Sequence, residues 1–471
     1  MRGGASSSIN PRASITMGVS PFRLLVLLTG LGMGSTTVVA EPSDLLEAAK
    51  RADMVEVRAL LAQGVAVDAI EGDGTTALHW ASYHDEIATV QHLLTVGADV
   101  NAVTDLGVTP LWTASQNGSG ELVSILLTAG ANPNLALLAG ETPLMVAARS
   151  GALEVMELLV AHGAALEARG SRGQTALMWA VAQGHSHVVD RLLSQGADPH
   201  GRSDVWVEVM GVPPHAQPEY NRDIPQGGNT ALMFAARVGS VASARHLIAA
   251  GANVDDMDGW GVSATTMAAH AGFGELVDLL LEAGADADAA EAGFGAIHAA
   301  VMRQDVSMVK ALLHHGADPN AVLHTWTPTR RASRDFHFAP PLVGATPFWL
   351  AARFTAPAVM RLLAEYGADP LTVHNAAYKS PADLQPLKEA TTALMAAVGM
   401  GGGRRMRSWA QQNPSDAEQL TLESVQLAVE LGIDINATDL EGRTALDGAR
   451  MARWRSVASY LEAHGARPSG Q

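Results

Sequence analysis

Cysteine is absent from the whole 471-residue chain. Its absence excludes disulfide bridges, thiolate catalysis and zinc–thiolate sites, and leaves no cysteine for lipid attachment. Aromatic residues make up only 5% of the chain, whereas 48% of its residues are hydrophobic and 46 are glycines. A core made mainly of small and aliphatic side chains, interrupted by many glycines, favours short, closely packed helices that turn often.

Motifs of the common enzyme classes are also missing. The sequence contains no G-x-S-x-G, no H-E-x-x-H and no pair of carboxylates at a suggestive spacing. We therefore expect a protein that is not an enzyme, with no cofactor and no metal site. The formal net charge of −17 makes nucleic acid an unsuitable partner because the phosphate backbone repels an acidic surface.

The first forty residues form a separate segment. Their only charges are three arginines, and the apolar run "LLVLLTGLGMG" follows Arg23. This pattern, with the small residues "VVA" at 38–40, is typical of a secretory signal peptide that is cleaved before Glu41. The alternative is an uncleaved N-terminal anchor, but the run is short for a membrane span and no charged stop-transfer flank follows it. Met17 is an alternative start.

We expect residues 1–40 to be a signal peptide and residues 41–471 to be the exported protein, in the periplasm or the extracellular space. Removing the three arginines leaves 28 basic residues against 48 acidic ones, so the exported chain carries a net charge of −20. No membrane contact is expected after cleavage.

A motif of the form T-[AP]-L recurs along the rest of the chain at a spacing of 33 residues, as in "TALHWA" at Thr76 and "TPLWTA" at Thr109. In the regular units a second motif, such as "GADVN" at Gly97, follows 21 residues later. The complete series of first motifs begins at Ser43, Thr76, Thr109, Thr142, Thr175, Thr230, Ser263, Gly295, Thr346, Thr392 and Thr444.

This series resembles the ankyrin repeat, whose T-P-L-H-x-A motif has the same period. The resemblance implies an all-α solenoid of about eleven helix-turn-helix units joined by hairpin fingers. Within one unit the apolar residues Leu177, Ala180 and Val181 have helical spacing, Thr175 can cap the helix, and Gly184 can end it. Such short helices must stack on neighbouring units to bury their apolar stripes.

Some units depart from the motif. Its histidine is kept only at His79 and His298, and large apolar residues such as Trp112 or Met145 replace it elsewhere. Hydrophobic packing is expected to substitute there for the hydrogen bond of the histidine. The unit at Gly295 lacks the threonine, so its register is the least well defined.

His185 and His187, next to Asp190, raise the question of a metal site. Imidazoles two residues apart point in different directions on a helix, and a third ligand at helical spacing is missing. The resemblance places His185 at the usual turn histidine and His187 at a position where the family carries glutamate. We therefore interpret both as turn residues.

Four insertions interrupt the period, at about 201–228, 321–345, 371–391 and 401–422. The first three enlarge the finger between successive units, and the alternating valines of the first predict an added hairpin. The fourth lies between the two helices of one unit. Its glycine run, followed by Arg404 to Trp409, could suggest phosphate binding, but it lacks the P-loop motif and a mobile loop is the favoured interpretation.

The resemblance implies a scaffold that binds another protein on a concave face extended by the finger insertions. Alternatives are an exported effector, a chaperone-like stabiliser of an envelope enzyme, or an enzyme with a pocket in an insertion. We expect a monomer. Aromatic and arginine residues in the insertions could instead only seal their own loops. The candidate partner-binding residues are Tyr83, Gln116, Arg149, Trp206, Arg237, Trp260, His270, Trp326, Arg330, Arg331, Phe336 and Arg353.

The signal-peptide interpretation predicts that the full-length chain loses its first forty residues on export. N-terminal sequencing of exported protein should begin at Glu41. Exported, membrane-bound protein that still carries Arg23 would decide for the anchor.

Overall fold

A computed structural model describes residues 41–211, 221–327, 338–379, 385–403 and 414–470. Over these residues the chain forms 22 α-helices, which follow one another as eleven pairs. The all-α repeat architecture and the number of units predicted from the sequence are therefore confirmed. Within the described part of the chain, no helix combines the length and hydropathy needed to cross a bilayer.

The first helices of the pairs pack on one another from unit to unit and form layer A, and the second helices form layer B in the same way. Layer A contains α1 (Pro42–Lys50), α3 (Ala77–Tyr83), α5 (Pro110–Asn117), α7 (Pro143–Ser150), α9 (Ala176–Ala182), α11 (Ala231–Val238), α13 (Ala264–Ala271), α15 (Ala296–Met302), α17 (Pro347–Arg353), α19 (Ala393–Ala397) and α21 (Ala445–Met451). Layer B contains α2 (Met54–Ala62), α4 (Ile87–Thr95), α6 (Gly120–Thr128), α8 (Leu153–Ala161), α10 (Ser186–Ser194), α12 (Val241–Ala249), α14 (Gly274–Glu282), α16 (Val306–His314), α18 (Pro357–Glu365), α20 (Pro414–Glu430) and α22 (Arg455–Ala463).

The repeated threonine begins most layer A helices. In α5 the side chain of Thr109 accepts a hydrogen bond from the backbone N–H of Trp112 at 3.0 Å, which satisfies one of the free donors of the first turn. Gly118 ends this helix with φ of 75°, a left-handed conformation that glycine adopts without strain. The motif therefore fixes both ends of the helix locally.

The leucine of the motif lies in the core between the layers. Leu111, Leu144 and Leu177 come from successive units, and each is at most 2% exposed. Burying one such side chain contributes roughly 1.5–3 kcal/mol, and a lone helix pair could not supply the surrounding atoms. Stacking of neighbouring units is therefore the source of stability.

The two histidine-bearing units behave as the motif predicts. Nδ1 of His79 accepts from the backbone N–H of Thr76 at 3.2 Å, and its Nε2 lies 3.0 Å from the carbonyl oxygen of Val108 in the next unit. His298 makes the equivalent bonds to Gly295 and to Ala321. Gly295 therefore marks a regular unit despite the missing threonine.

Where a large apolar residue replaces the histidine, apolar packing takes its place, as expected, whereas Asp447 at this position accepts a hydrogen bond from the backbone N–H of Thr444 at 2.9 Å. Trp112 is 9% exposed and Met145 is 1% exposed.

The insertions contain the only two sheets among the described residues. Strands β1 (Val205–Gly211) and β2 (Asn221–Gly227) form the antiparallel hairpin expected for the first insertion. Strands β3 (His374–Lys379) and β4 (Pro386–Thr391) form a second hairpin within the third. In the second insertion the described part contains a short 3-10 helix at Pro340–Leu342.

The fourth insertion differs from its predicted form. Its last part, from Pro414 onwards, is not a connection but the first turns of α20, which has 17 residues where most other helices of layer B have nine. The sequence "PSDAEQLTLESV" carries a proline at the helix start and an acidic residue in the first turn, which favour helix initiation here. The inserted residues therefore lengthen a layer B helix.

The turns after layer B are joined by side chains that bond to the next unit. Oδ1 of Asn134 accepts from the backbone N–H of Ala165 at 2.8 Å, and its Nδ2 donates to the carbonyl oxygen of Gly163 at 3.0 Å. Asn101 makes the same two bonds one unit earlier, to Asn132 and Gly130. This amide ladder sets the distance between units.

Replacing Asn134 by alanine should lower the free energy of unfolding by about 1 kcal/mol, because both bonds are lost at an exposed position. Asn134→Asp keeps the acceptor and loses the donor, so its effect should be smaller. Denaturant unfolding of the three proteins measures both changes. Equal stability of wild type and Asn134→Ala would show that water replaces the ladder without cost.

His298 should make stability depend on pH. Burial lowers the pKa of this imidazole from 6.5 to about 4. Between these values the unfolded chain binds a proton that the native chain does not, so stability falls as the pH falls from about 6.5 to about 4.

His298→Gln should reduce the slope of the unfolding free energy against pH in this window, and His162→Gln, a replacement of an exposed histidine, is the comparison protein. Unfolding curves at several pH values test this. The same slope for wild type and His298→Gln would contradict the assignment.

Candidate functional site

The fingers that connect layer B to the next layer A helix are bonded side by side. The backbone N–H of Asp105 donates to the carbonyl oxygen of Asp73 at 2.8 Å, and that of Leu138 donates to Leu106 at 3.0 Å. A Cβ atom at Gly107, where φ is 82°, would lie 2.8 Å from the carbonyl oxygen of Ala136. Glycine at the finger tip therefore permits this close approach, and the fingers form one continuous row.

The hairpin of β1 and β2 is an enlarged finger in this row. The backbone N–H of Asp204 donates to the carbonyl oxygen of Arg172 in the preceding finger at 2.8 Å, and Arg169 forms an ion pair with Asp204 at 2.7 Å. The guanidinium of Arg172 lies 4.2 Å from the centre of the half-buried Trp206 ring. These contacts anchor the hairpin at its base.

Beyond its base the hairpin exposes apolar side chains. Val205, Val207 and Val209 are 59%, 62% and 65% exposed, whereas Ile224 of β2 is 4% exposed. The alternation of β1 thus directs one set of side chains to solvent while its partner strand contributes one residue to the core. Aliphatic side chains exposed together in this way mark interaction surfaces more often than isolated ones do.

Three of the predicted layer A residues are exposed at the ends of their helices, namely Tyr83, Gln116 and Arg237. Tyr83 is 59% exposed and lies edge-on to Trp80, with 6.0 Å between the ring centres. The side chain of Arg237 donates to Oδ1 of Asn229 at 3.0 Å and lies above the Phe234 ring. These side chains are accessible to a partner.

Two further predicted residues of layer A, Arg149 and His270, and Trp260 of a finger are half-buried. Arg149 pairs with Glu141 at 2.5 Å, and its guanidinium lies 5.5 Å from the centre of the Trp179 ring in the next unit. The carbonyl oxygen of His270 accepts two bonds from Arg303. Held in this way, Arg149 is ordered before any partner arrives.

Arg353 is not a surface residue, contrary to its predicted role. It is 8% exposed, and its guanidinium donates to the carbonyl oxygens of Gly401 and Gly403 at 2.9 and 3.4 Å. The inserted loop after α19 covers the position that a shorter connection would leave open. Arg353 therefore holds this loop against α17.

The aromatic and arginine residues of the second insertion were predicted either to bind a partner or only to seal their own loop. Trp326 is half-buried, and Arg330, Arg331 and Phe336 lie outside the described residues. Phe338 is fully buried, with its ring centre 5.3 Å from that of Phe294. At least this aromatic residue seals the loop.

Trp260 joins the same aromatic group from the neighbouring finger. Its ring centre lies 5.5 Å from that of Phe294, in an edge-to-face arrangement. Trp260 therefore links two units as well as being partly open to solvent.

A polar network that joins the hairpin of β3 and β4 to the glycine run after α19 was not expected from the sequence. The hydroxyl of Tyr378 in β3 donates to Glu389 in β4, and the backbone N–H of Gly402 donates to the same carboxylate at 2.7 Å. Burial and this hydrogen bond raise the pKa of Tyr378. Thus an amide of the glycine run is bound by the chain itself, which weakens the phosphate interpretation, while Arg404 to Trp409 lie outside the described residues.

His374 at the start of β3 is buried beside α17. Its ring lies 4.0 Å from the Trp349 ring, and its Nε2 donates to the carbonyl oxygen of Val343 at 3.2 Å. Burial lowers the pKa of His374 to about 4.

His185 and His187 bond to the preceding unit. Their Nε2 atoms lie 3.1 and 3.3 Å from the carbonyl oxygens of Arg149 and Gly151. Asp190 instead lies 3.1 Å from His246 in the following unit. In the described ranges no three potential metal-ligating side chains gather in one place.

Comparison with known proteins agrees with this architecture. The family model for ankyrin repeats, which spans three copies, matches residues 45–136, 111–203 and 232–322, together more than half of the chain. Over 160 residues, 32% of this chain, the sequence is 34% identical to the ankyrin repeat and KH domain-containing protein CBG24701 of Caenorhabditis briggsae. That alignment spans only 5% of the relative's length. The repeats, their geometry and these matches together place the chain in the ankyrin repeat family.

Proposed function

We propose that this ankyrin repeat protein binds another protein along the ends of its layer A helices and its row of fingers, with the hairpin of β1 and β2 as the central contact. Ankyrin repeats are protein-binding scaffolds, and the coarse function follows from the family. The observation that supports this particular surface is the hairpin itself. It is anchored by backbone and ionic contacts at its base but exposes three valines.

A purely structural insertion would bury its apolar side chains. The second insertion does so with Phe338, which fills space between two units. The first insertion places its valines in water, where each exposed aliphatic group is unfavourable until something covers it. The two insertions therefore differ in role, and the first carries the binding proposal.

The arginine and aromatic pairs beside the hairpin favour the same surface. Arg172 over Trp206 and Arg149 over Trp179 are held in position by cation–π contacts of 4.2 and 5.5 Å. Trp and Arg are enriched among the residues that dominate interface energies, and ordering them beforehand lowers the entropy cost of binding. A partner could use the remaining N–H groups of these guanidinium ions.

We further propose that the scaffold acts after export. The support is the arginine-containing, apolar segment before Glu41, which ends in the small residues "VVA". The partner would then be an envelope or extracellular protein.

Replacing residues 205–227 with an Asn-Gly turn tests the function, since the backbone N–H of Gly228 already donates to the carbonyl oxygen of Asp204 at 3.1 Å, and a two-residue turn can close on this hydrogen-bonded pair. The partner is first captured with the wild-type protein from envelope extract and identified. Its affinity for the shortened protein should fall at least 30-fold, as expected when anchor residues are lost. Thermal unfolding should remain cooperative, although at a somewhat lower temperature because buried Ile224 is lost, since the helix pairs on both sides of the hairpin are unchanged.

Arg191→Ala is the matched control and should leave affinity unchanged, since this side chain forms its ion pair with Glu157 within layer B, away from the proposed surface. Unchanged affinity of the shortened protein would place the functional surface elsewhere. Loss of cooperative unfolding would show that the hairpin is structural.

A further inference from the structure

The pairing register of the hairpin determines which backbone groups of β1 face outward. Val207 lies opposite Pro225, and Val205 and Val209 lie opposite Gly227 and Asp223. Proline has no N–H, so the pair of Val207 and Pro225 must be a non-hydrogen-bonded pair of the antiparallel ladder. Because the two kinds of pair alternate, all three valines direct their N–H and C=O groups away from β2.

The two edges of the hairpin are therefore unlike. On β2, Pro225 removes one outward donor, and the outward carbonyl oxygen of Gly227 accepts from Gly259 in the next finger at 2.8 Å. On β1, none of the three valines bonds to backbone beyond β2 within the described residues. The β2 edge is occupied and interrupted, and the β1 edge is open.

The composition of β1 also lacks the usual protection of an edge strand. Natural edges carry lysine, proline or inward charges that prevent another strand from pairing. The sequence "VWVEVMG" has high β propensity and a single charge, Glu208, which is exposed and has no ion pair within the described part of the chain. An open edge of this composition suits the addition of a strand.

The charge of the chain indicates what could occupy this edge. A second copy of the exported chain would bring another net charge of −20 against the first, and Asp223 would add to the repulsion beside the valines. A segment with a lysine or arginine opposite Glu208 would instead gain a cross-strand ion pair. The complementary occupant is therefore basic on one face and apolar on the other.

We propose that the free edge of β1 binds an extended segment of the partner as a third strand of the hairpin. Apolar residues of this segment lie beside Val205, Val207 and Val209, and a basic residue lies opposite Glu208. This inference depends on the proposed function, since it names the kind of segment that the finger surface captures.

A labelled peptide of alternating valine and lysine is the probe, and fluorescence anisotropy with the full chain measures its binding. Saturable binding is expected, and it should weaken at least tenfold when the backbone nitrogens of the central peptide residues are methylated. Methylation removes main-chain donors and keeps every side chain. Equal binding of both peptides would overturn the proposal, because only strand pairing needs these donors.

Val207→Pro removes one outward N–H of β1 and leaves the ladder to β2 intact, so peptide binding should fall at least tenfold. Val207→Thr keeps the N–H and the β-branched shape and should bind within about threefold of wild type. Cooperative melting of both variants checks that they fold. Equal affinities of the two variants would contradict the proposal.

Glu208→Lys should weaken the valine–lysine peptide and strengthen a valine–glutamate peptide, a reversal that loss of structure cannot produce. If the preference between the two peptides does not reverse, the proposed pairing of Glu208 with a basic residue is wrong. A wild-type dimer that Val207→Pro dissociates would identify a second copy as the occupant and overturn the proposal. If the probe fails while the shortened hairpin still loses its partner, the scaffold function stands and strand addition does not.

Discussion

Each helix of a repeat has one apolar stripe and cannot bury it against its own pair alone. The structure depends on this constraint, because it forces every unit to stack on the next at a fixed distance. Leu111 and Leu144 occupy equivalent buried positions one unit apart, and the amides of Asn101 and Asn134 join the turns at the same interval. A 33-residue period in the sequence is thus the consequence of a repeated packing geometry.

The same constraint explains where the chain tolerates insertions. Residues added within a layer would displace all later units, whereas residues added to a finger extend away from the stack. The hairpins of β1–β2 and β3–β4 are additions of this kind. The lengthened helix α20 satisfies the constraint differently, since its extra turns continue along the axis of a layer B helix instead of separating two units.

Most of the fold could be predicted from the sequence because its determinants are local. The side chain of Thr109 caps α5 by accepting from the backbone N–H three residues later, and Gly118 ends the helix. A short stretch of sequence therefore determines both ends of the helix. The register at Gly295 was predicted correctly even without threonine, since His298 bonds to the backbone of that glycine. The 33-residue period of the repeated motif predicted the number and order of the units.

The site could be predicted only in part because its determinants are not local. Arg353 occupies a position that is exposed or half-buried in other units, but a loop almost fifty residues later covers it. The bond between Glu389 and Gly402 likewise depends on how a hairpin and a loop meet. Motif reasoning fails at such places because a repeat pattern describes the regular units, and the insertions follow no pattern.

The insertions are therefore where this chain acquires properties that its family alone does not supply. A regular finger is too short to contain a strand edge, whereas β1 is long enough to present three outward valines while Pro225 blunts the opposite edge. This asymmetry leaves the β1 edge open and interrupts the β2 edge, where Pro225 has no N–H. The stack provides a rigid base for the hairpin, because the backbone hydrogen bond between Asp204 and Arg172 joins the base of the hairpin to the preceding finger. A contact along β1 therefore need not disturb the packing on which the stack depends.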